Sequence, residues 1–271
     1  MATEDNIAYD VRDLSFCYKE VPALRNLSLQ IRRGERVALL GANGSGKSTL
    51  LRLLAALSFP FSGAISFLGD ELTQAKLDQP DFFLPFRRRV GIVFQNTDVQ
   101  LFNASVFDEV AFGPLQLGWP KECVRERVEQ ALSSMRISDL RDRPPHRLSG
   151  GEKKRVALAS VLVSNPEVLL LDEPIAALDP ASQTEMIHLL ASWKDGSRTV
   201  VTATHDLSAL ETIADRCYLL DKGTLAAEGS PLDVLHNITL LEQTNLIRPH
   251  PHAHAGSSGR IHPHLHTHQN S

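Results

Sequence analysis

The stretch that decides the fold is an apolar run, Val37–Leu40, followed by a glycine-rich segment that reads Gly41-Ala42-Asn43-Gly44-Ser45-Gly46-Lys47-Ser48-Thr49. The apolar segment 50–57 comes next, so the order predicts a buried strand, a tight turn and a helix. In that context the pattern GxxxxGK[ST] binds the phosphates of a nucleoside triphosphate, because backbone N–H groups converge at the helix N-terminus. We call residues 41–49 the phosphate loop. The alternative is a glycine-rich strand–helix turn that binds nothing, which the Lys-Ser after the last glycine does not favour.

The side chains of this loop supply a cation and a hydroxyl. Lys47 is predicted to balance the charge of the terminal phosphates. Ser48 is predicted to bind Mg²⁺, which prefers oxygen ligands.

A second apolar run, Val168–Leu171, ends in Asp172-Glu173. In α/β proteins the carboxyl ends of parallel strands face the ligand, so these acids should lie beside the phosphate loop. Asp172 is predicted to hold Mg²⁺, directly or through water. Glu173 is predicted to orient or deprotonate the attacking water. The alternative is a strand that merely ends in acidic residues.

Composition excludes several classes of protein. The chain has 271 residues and a net charge of −4, which does not favour nucleic-acid binding. Its cysteines, Cys17, Cys123 and Cys217, are widely spaced and form no disulfide framework, as is typical of a reducing cytosol. The polar start of the chain predicts no secretory signal, and no apolar run approaches the ~18 residues of a membrane span.

The alternation of apolar runs and helical patterns predicts an α/β fold with a mostly parallel sheet. The first strands, before Val37, should form an antiparallel layer beside it. Residues 97–147 read as helical. With the helix that follows to about Ser164, they predict a helical subdomain at 97–164, inserted in a domain of residues 1–246.

Local patterns give four further expectations. Residues 70–88 are predicted to be rich in loops, and Arg87–Arg89 to be a solvated basic patch. The helix that begins at Val106 is predicted to end at Gly113-Pro114. Asp206 is predicted to cap a helix that runs to Ala214.

Leu148-Ser149-Gly150-Gly151-Glu152 contains an S-x-x-E capping box, in which two side chains satisfy the first N–H groups of a helix. The two glycines leave the rest of that helix N-terminus bare, so it could draw a second phosphate. A well-capped helix without a ligand is the simpler interpretation. We call Ser149–Gly151 the signature segment.

Leu148–Glu152 resembles the signature motif of ABC-transporter ATP-binding subunits, and it precedes the strand of Asp172 by about twenty residues, as in that family. The resemblance covers residues 7 to about 235. It implies a P-loop NTPase (RecA-like) core with an antiparallel β subdomain and an inserted helical subdomain, ATP and Mg²⁺ as ligands, and catalytic roles for Lys47, Glu173 and His205.

The family pattern also suggests roles for single residues. Tyr18 resembles the aromatic residue that stacks on adenine. Gln95 resembles the glutamine that contacts Mg²⁺ and the γ-phosphate. His205 resembles the switch histidine at the γ-phosphate. Ala176–Asp179 resembles the loop that crosses to a partner subunit, although Ala177 stands where the family more often has Ser.

The family further implies a head-to-tail dimer, homomeric or heteromeric. In it Ser149, Gly150 and Gly151 of one subunit meet the γ-phosphate bound by Lys47 of the other. Closure on ATP would drive transmembrane transporter subunits docked near Gln95 and the helical subdomain. We therefore expect a peripheral protein at the cytoplasmic face of the cell membrane, with no nucleic-acid partner.

Within the family, the segments Val93–Asn96, Gln100–Phe102 and Glu109–Pro114 are similar to the cobalt/nickel branch of energy-coupling-factor importers. Vitamin importers of the same architecture share these segments. The sequence therefore predicts an ATPase subunit for import of Ni²⁺ or Co²⁺. A vitamin importer, a soluble ABC ATPase of DNA repair or translation, and a metal-storage protein are the alternatives.

The segment 247–271 is predicted to be a disordered tail rich in histidine. Alternating imidazoles on a flexible chain chelate transition metals, and binding weakens as the rings protonate. A purification tag or an inert polar tail would look similar, although a tag is normally an uninterrupted run. The candidate ligands are His250, His252, His254, His262, His264, His266 and His268.

Overall fold

A computed structural model describes residues 6–247. The predicted histidine tail falls almost entirely on residues 248–271, outside the described residues. The strands are β1 Ile7–Tyr18, β2 Val21–Arg32, β3 Arg36–Leu40, β4 Ser62–Phe67, β5 Asp70–Glu71, β6 Val90–Val93, β7 Val168–Asp172, β8 Thr199–Thr204, β9 Arg216–Asp221 and β10 Thr224–Gly229. The α-helices are α1 Lys47–Leu54, α2 Gln74–Leu77, α3 Pro80–Arg89, α4 Val106–Gln116, α5 Lys121–Ser134, α6 Gly150–Leu162, α7 Pro180–Ser192, α8 Leu210–Ile213, α9 Pro231–His236 and α10 Ile238–Gln243.

The described residues form a four-stranded sheet, in the order β2-β1-β4-β5, and a six-stranded sheet, in the order β10-β9-β3-β8-β7-β6. The first is antiparallel, and in the second the neighbours from β9 to β6 run parallel. This confirms the predicted α/β fold with an antiparallel β layer beside a parallel core.

Strands β3, β7 and β8 are buried along their whole length, and the apolar runs Val37–Leu40 and Val168–Leu171 lie in β3 and β7. In the sheet register Leu40 pairs with Thr204, and Asp172 pairs with Ala203. The carboxyl ends of β3, β8 and β7 therefore meet at one edge, which is where the candidate site lies.

In the described part of the chain the apolar core divides into two clusters, one on each side of this sheet. Alternate residues of β3 show the division, because Leu39 packs with the antiparallel layer and Leu40 packs with the helices between β6 and β7. The parallel sheet is thus covered on both faces.

Helices α4, α5 and α6 follow one another between β6 and β7 and pack together. Inside this group Glu109 is 4% exposed, and its carboxylate accepts hydrogen bonds from the backbone N–H groups of Phe102 and Asn103, both at 2.8 Å. A buried carboxylate needs such donors. It fixes the loop that leads from β6 into α4.

The structure corrects several local predictions. Residues 70–88 contain α2 and most of α3 rather than loops, since Pro80 is at the start of a helix, where a missing N–H costs nothing. Helix α4 continues through Pro114 to Gln116. Asp206 does not cap a helix, because α8 begins at Leu210.

The basic run Arg87–Arg89 is not a solvated patch. Arg87 donates to the carbonyl oxygens of Ala55 and Ala56, at 2.8 and 3.2 Å, and so caps the end of α1. Arg89 is bound to Glu167 at 2.7 Å, and Arg88 donates to a backbone carbonyl. Cations at a helix C-terminus satisfy otherwise unpaired carbonyls.

At the opposite edge of the sheet, Glu35 and Arg36 at the start of β3 pair with Asp215 and Arg216 at the start of β9. Arg36, 2% exposed, contacts Asp215 at 2.6 Å, and Glu35 contacts Arg216 at 2.8 Å. Buried arginine requires such pairing.

None of the helices within residues 6–247 combines the length and apolar character that crossing a membrane requires.

Candidate functional site

The phosphate loop connects β3 to α1 as the sequence predicts. Gly46 is the N-cap of α1 and has φ 108°. A Cβ there would come within 2.6 Å of Leu24 and 2.9 Å of the Ala23 carbonyl oxygen, both in the antiparallel sheet. Only glycine fits this conformation and this space, so the loop is shaped by the sheet that packs behind it.

The turn between β9 and β10 also holds the loop. Gly223 donates its N–H to the carbonyl of Ser45 at 3.0 Å, and its own carbonyl accepts from Arg25 at 2.8 Å. The hairpin therefore bridges β2 and the phosphate loop. The Ser45 hydroxyl is buried and, among the described residues, has no hydrogen-bond partner.

Lys47 is 5% exposed, and its ammonium donates to the carbonyl oxygens of Gly41 and Ala42, at 2.6 and 3.2 Å. It lies 4.0 Å from the Glu173 carboxylate. Burial lowers the pKa of Lys47, while Glu173 and Asp172 oppose that shift. The cation is thus placed between the loop and the acidic pair.

Ser48 donates its hydroxyl to the Asp172 carboxylate at 3.0 Å, which joins the first turn of α1 to the end of β7. Burial raises the pKa of Asp172, and the Ser48 hydrogen bond opposes this. Two hard oxygen donors this close fit the coordination chemistry of Mg²⁺. Gln95, the third predicted ligand, follows β6 and is exposed, and its backbone carbonyl accepts from Lys154 at 3.2 Å.

Glu173 follows Asp172 in a left-handed conformation, with φ 48°, which is uncommon outside glycine and is stored strain. Its N–H donates to the Ala203 carbonyl at 2.9 Å. One carboxylate oxygen lies 2.7 Å from Nδ1 of His205, and the other accepts from the Thr204 hydroxyl at 3.3 Å. The end of β8 therefore orients the carboxylate.

Tyr18 is at the end of β1, with 42% of its side chain exposed and its ring packed edge-on against Phe16 at 4.9 Å. Its hydroxyl accepts a long hydrogen bond, 3.5 Å, from Thr49 in α1. An exposed ring beside the phosphate loop is placed to receive a flat base. Asn43 and Gly44 are exposed at the tip of the loop.

The signature segment begins α6 with the predicted capping box. Ser149 receives the Glu152 N–H at 3.3 Å, and Glu152 accepts the Ser149 N–H at 2.7 Å. That bonding to Ser149 lowers the pKa of Glu152. A Cβ on Gly150 would meet nothing within 4 Å, so the backbone there is open to an approaching group.

Among residues 6–247 no hydrogen bond or ion pair joins Ser149–Gly151 to residues 41–49. Gly151 instead faces Ser182 in α7. Asp179, predicted to contact a ligand or partner, caps α7 by accepting from the N–H groups of Ala181 and Ser182, both at 3.1 Å.

Sequence reasoning missed two residues of this region. Thr204 belongs to no motif singled out in the sequence, yet its hydroxyl donates to the Glu173 carboxylate. Lys154 is 4% exposed, and its ammonium donates to the backbone carbonyl of Gln95 at 3.2 Å. Within residues 6–247 no group of three or more His, Cys, Asp or Glu side chains could hold a metal ion, and the predicted tail ligands lie outside the described residues.

Comparisons with known proteins agree with this geometry. A family model described as ABC transporter matches residues 24–176, more than half of the chain. The chain is 53% identical over 243 residues to the nickel import ATP-binding protein NikO of Rhodobacter capsulatus, covering 89% of this chain and 96% of that protein.

Two solved structures are similar throughout. That of cbiO1 from Clostridium perfringens, described as part of the ABC transporter complex cbiONQ, has a TM-score of 0.75 and 37% identity, and covers 90% of this chain and 96% of that one. A dimeric ATP-binding cassette in a post-hydrolysis state with ADP and Pi has a TM-score of 0.74 and 27% identity, and covers 82% and 98%.

Proposed function

We propose that this chain, which belongs to the ABC transporter family and is an ATP-hydrolysing subunit, powers the import of Ni²⁺ or Co²⁺ by a membrane transporter. The observation that carries the choice of cargo is the 53% identity to a nickel import ATP-binding protein over 89% of the chain. The metal itself is the substrate of the transporter and not a resident cofactor of the ATP site.

The proposed chemistry uses the edge of the parallel sheet. Lys47 and the N–H groups of the phosphate loop bind the β- and γ-phosphates. Glu173 accepts the proton of the attacking water, since Thr204 and His205 hold its carboxylate in one orientation. The His205 side chain is 49% exposed, and within residues 6–247 no hydrogen bond engages its other ring nitrogen, which would contact the γ-phosphate.

Ser48, Asp172 and the side chain of Gln95 would hold Mg²⁺. The ion supplies charge neutralisation at the phosphate oxygens when bound. Tyr18 stacks on the base. The remaining residues of the loop, Gly41, Ala42, Asn43, Gly44, Ser45, Gly46 and Thr49, surround the phosphates.

A second subunit completes the site. The open backbone at Gly150 and the bare N-terminus of α6 favour an incoming phosphate, but within residues 6–247 no hydrogen bond or ion pair joins the signature segment to its own phosphate loop. We propose a head-to-tail dimer in which each signature segment closes the partner's site, with Asp179 near the contact. The dimeric ADP- and Pi-bound relative supports this arrangement.

Transmembrane subunits are the proposed second partner. Next to Gln95, an apolar surface is formed by Val99, Phe102 and Phe112, which are 70%, 65% and 38% exposed. The rings of Phe102 and Phe112 pack edge-on at 5.0 Å. A surface of this kind suits a protein partner, and cbiO1 is described as part of a transporter complex. We place the subunit at the cytoplasmic face of the membrane through such partners.

We also propose that the histidine-rich tail binds the transported metal ion. Its alternating imidazoles suit capture or handover of the cargo ion.

The test is uptake of ⁶³Ni²⁺ by cells that carry the chain together with its membrane subunits. We expect uptake in the parent, loss in Lys47→Ala, and competition by excess Co²⁺. Lys121→Ala, an exposed lysine at the start of α5, is the control and should retain uptake. The proposed cargo would be overturned if the chain stimulated uptake of a vitamin but stimulated uptake of neither ⁶³Ni²⁺ nor Co²⁺.

A further inference from the structure

The two glycines of the signature segment have different surroundings. Among the described residues, a Cβ on Gly150 would meet no atom within 4 Å. A Cβ on Gly151 would lie 2.7 Å from Oγ and 3.3 Å from Cβ of Ser182, in the first turn of α7. Because carbon atoms in contact are most stable at about 3.5–4.0 Å, the backbone of α6 rests directly on the Ser182 side chain.

The same contact reaches the residue that caps α7. Asp179 is the last residue of the segment Ala176–Asp179, which resembles a loop that crosses to a partner subunit. One of its carboxylate oxygens accepts from the N–H groups of Ala181 and Ser182, both at 3.1 Å. Its other oxygen would lie 3.9 Å from a Cβ on Gly151. Within one subunit, the signature segment therefore lies beside the segment that leads into α7.

A second contact joins the same two helices one turn further along. Arg155 of α6 forms an ion pair with Glu185 of α7 at 3.1 Å. The two residues come four positions after Gly151 and three positions after Ser182, which puts them on the same helix faces as the first contact. The Glu185 side chain is 49% exposed, so this pair contributes little free energy. The close contact at Ser182 is thus the stronger constraint on α6.

The space beside the two contacts is open. A cavity of about 320 Å³ lies between α6 and α7, and Leu178 and Met186 are in its lining. Within residues 6–247 no side chain fills this space, so the two helices do not interdigitate there. The Ser182 hydroxyl has room to turn into the cavity, but its Cβ would still lie 3.3 Å from a Cβ on Gly151.

We propose that Ser182 is a positioning residue, which sets the place of the signature segment beside Ala176–Asp179 of the same subunit. The two segments thereby reach a partner subunit as one surface. A side chain on Gly151 pushes α6 away from α7 and displaces the backbone N–H groups that the signature segment presents. This inference rests on the proposed head-to-tail dimer, and it adds a reason within the subunit for the second glycine.

The test is dimerisation of the full-length chain with Mg²⁺ and the non-hydrolysable analogue AMP-PNP, followed by sedimentation velocity. For each variant, the AMP-PNP concentration at half-dimerisation is divided by the dissociation constant of a fluorescent ATP analogue for the monomer, measured at low protein concentration. We call this quotient the dimerisation ratio. A general loss of folding changes both quantities together, whereas a displaced signature segment changes the ratio.

In Gly151→Ala we expect the dimerisation ratio to rise at least fivefold. Ser182→Gly restores the space, so the ratio of Gly151→Ala/Ser182→Gly should lie within twofold of that of Ser182→Gly alone. Ala181→Gly is the matched control, because it places a glycine at an exposed position of the same helix turn. Gly151→Ala/Ala181→Gly should keep the fivefold rise over Ala181→Gly.

Gly150→Ala tests the specificity of this rescue. Its Cβ meets no atom of its own subunit within the described residues, so Ser182→Gly should leave the effect of Gly150→Ala on the ratio unchanged within twofold. Rescue of both glycine variants by Ser182→Gly would overturn the inference. A ratio for Gly151→Ala within twofold of the parent, or a fivefold rise that Ser182→Gly does not reverse, would overturn it too.

The doubly substituted chain decides the case in which Gly151→Ala alone does not fold. A dimerisation ratio of Gly151→Ala/Ser182→Gly within twofold of Ser182→Gly supports the inference, and a rise of fivefold or more contradicts it. A parent chain that binds AMP-PNP and stays monomeric refutes the proposed dimer, and the inference falls with it.

Discussion

The carboxylate of Glu173 lies 2.7 Å from Nδ1 of His205, although the two residues follow different strands. The contact exists because β7 and β8 are neighbours in the parallel sheet and Glu173 turns back with φ 48°. The Glu173 carboxylate is buried, whereas the His205 ring is half exposed. The pair thus joins the proposed proton acceptor, which is buried, to an exposed group that is within reach of a ligand.

Glu173→Gln should slow ATP turnover by a factor of at least about 100, because the proposed base is lost while the side chain keeps its shape. ATP should still bind, and an ATP-bound dimer should persist in size-exclusion chromatography. Glu211→Gln, an exposed acid in α8, is the control. Parent-like turnover in purified Glu173→Gln would show that Glu173 is not the base.

Lys47→Ala should abolish ATP binding measured by calorimetry, with an affinity loss of at least about 100-fold. The ammonium is the cation held against the loop carbonyls, and nothing else in the phosphate loop is positively charged. Lys121→Ala should bind ATP as the parent does. Tight ATP binding by Lys47→Ala would refute the assignment of residues 41–49 as the phosphate site.

Asp172→Asn should stabilise the nucleotide-free protein while weakening Mg²⁺-dependent ATP binding. Burial raises the pKa of Asp172 above its unfolded value of 3.8, so the folded state favours the protonated form. The protonated carboxyl therefore contributes folding free energy that is present below the unfolded pKa and is lost as the pH rises through the folded pKa. At pH 8 we therefore expect the Asn variant to gain about 2–5 °C in Tm.

The gain should shrink as the pH falls towards the unfolded pKa, which differential scanning calorimetry at several pH values can follow. Asp139→Asn, at an exposed position, should change Tm by less than about 1 °C. A Tm for Asp172→Asn below that of the parent at pH 8 would contradict the electrostatic explanation.

Removal of the histidine-rich tail should leave ATPase activity unchanged and lower Ni²⁺ binding measured by calorimetry. Leu246 and Ile247 both pack against the core. The truncation is therefore best made after Ile247. Unchanged Ni²⁺ binding by the truncated chain at pH 7.5 would contradict a role for the tail in transport. Ni²⁺ binding by the full-length chain that does not weaken towards pH 5.5 would contradict it too.

Much of the nucleotide site could be predicted from local pattern. The strand, glycine turn and Lys-Ser of residues 37–48 form a continuous segment, and Asp172 follows a buried strand. Each pattern encodes its own geometry, and parallel strands bring the segments to one edge. No such pattern encodes the left-handed backbone of Glu173, which depends on the Ala203 carbonyl and the side chains that follow it.

The errors came from residues whose environment is set by distant parts of the chain. The sequence predicts that Arg87 is a surface charge, because it does not show that α1 ends beside this residue with free carbonyls. Pro114 reads as a helix breaker, but α4 tolerates it. Lys153 and Lys154 are identical in sequence, and only the packing of α6 against β6 and the loop after it decides which one is buried.

The turn at Gly223 has a consequence for biogenesis. Its bonds to Ser45 and Arg25 close a contact between the first fifth of the chain and a hairpin that a ribosome makes much later. Non-local contacts of this kind form slowly, and only after their second strand is available. An unfinished polypeptide would contain the phosphate-loop sequence without its final shape. A chain that ends before the β9–β10 hairpin should therefore bind nucleotide more weakly than a chain that contains it.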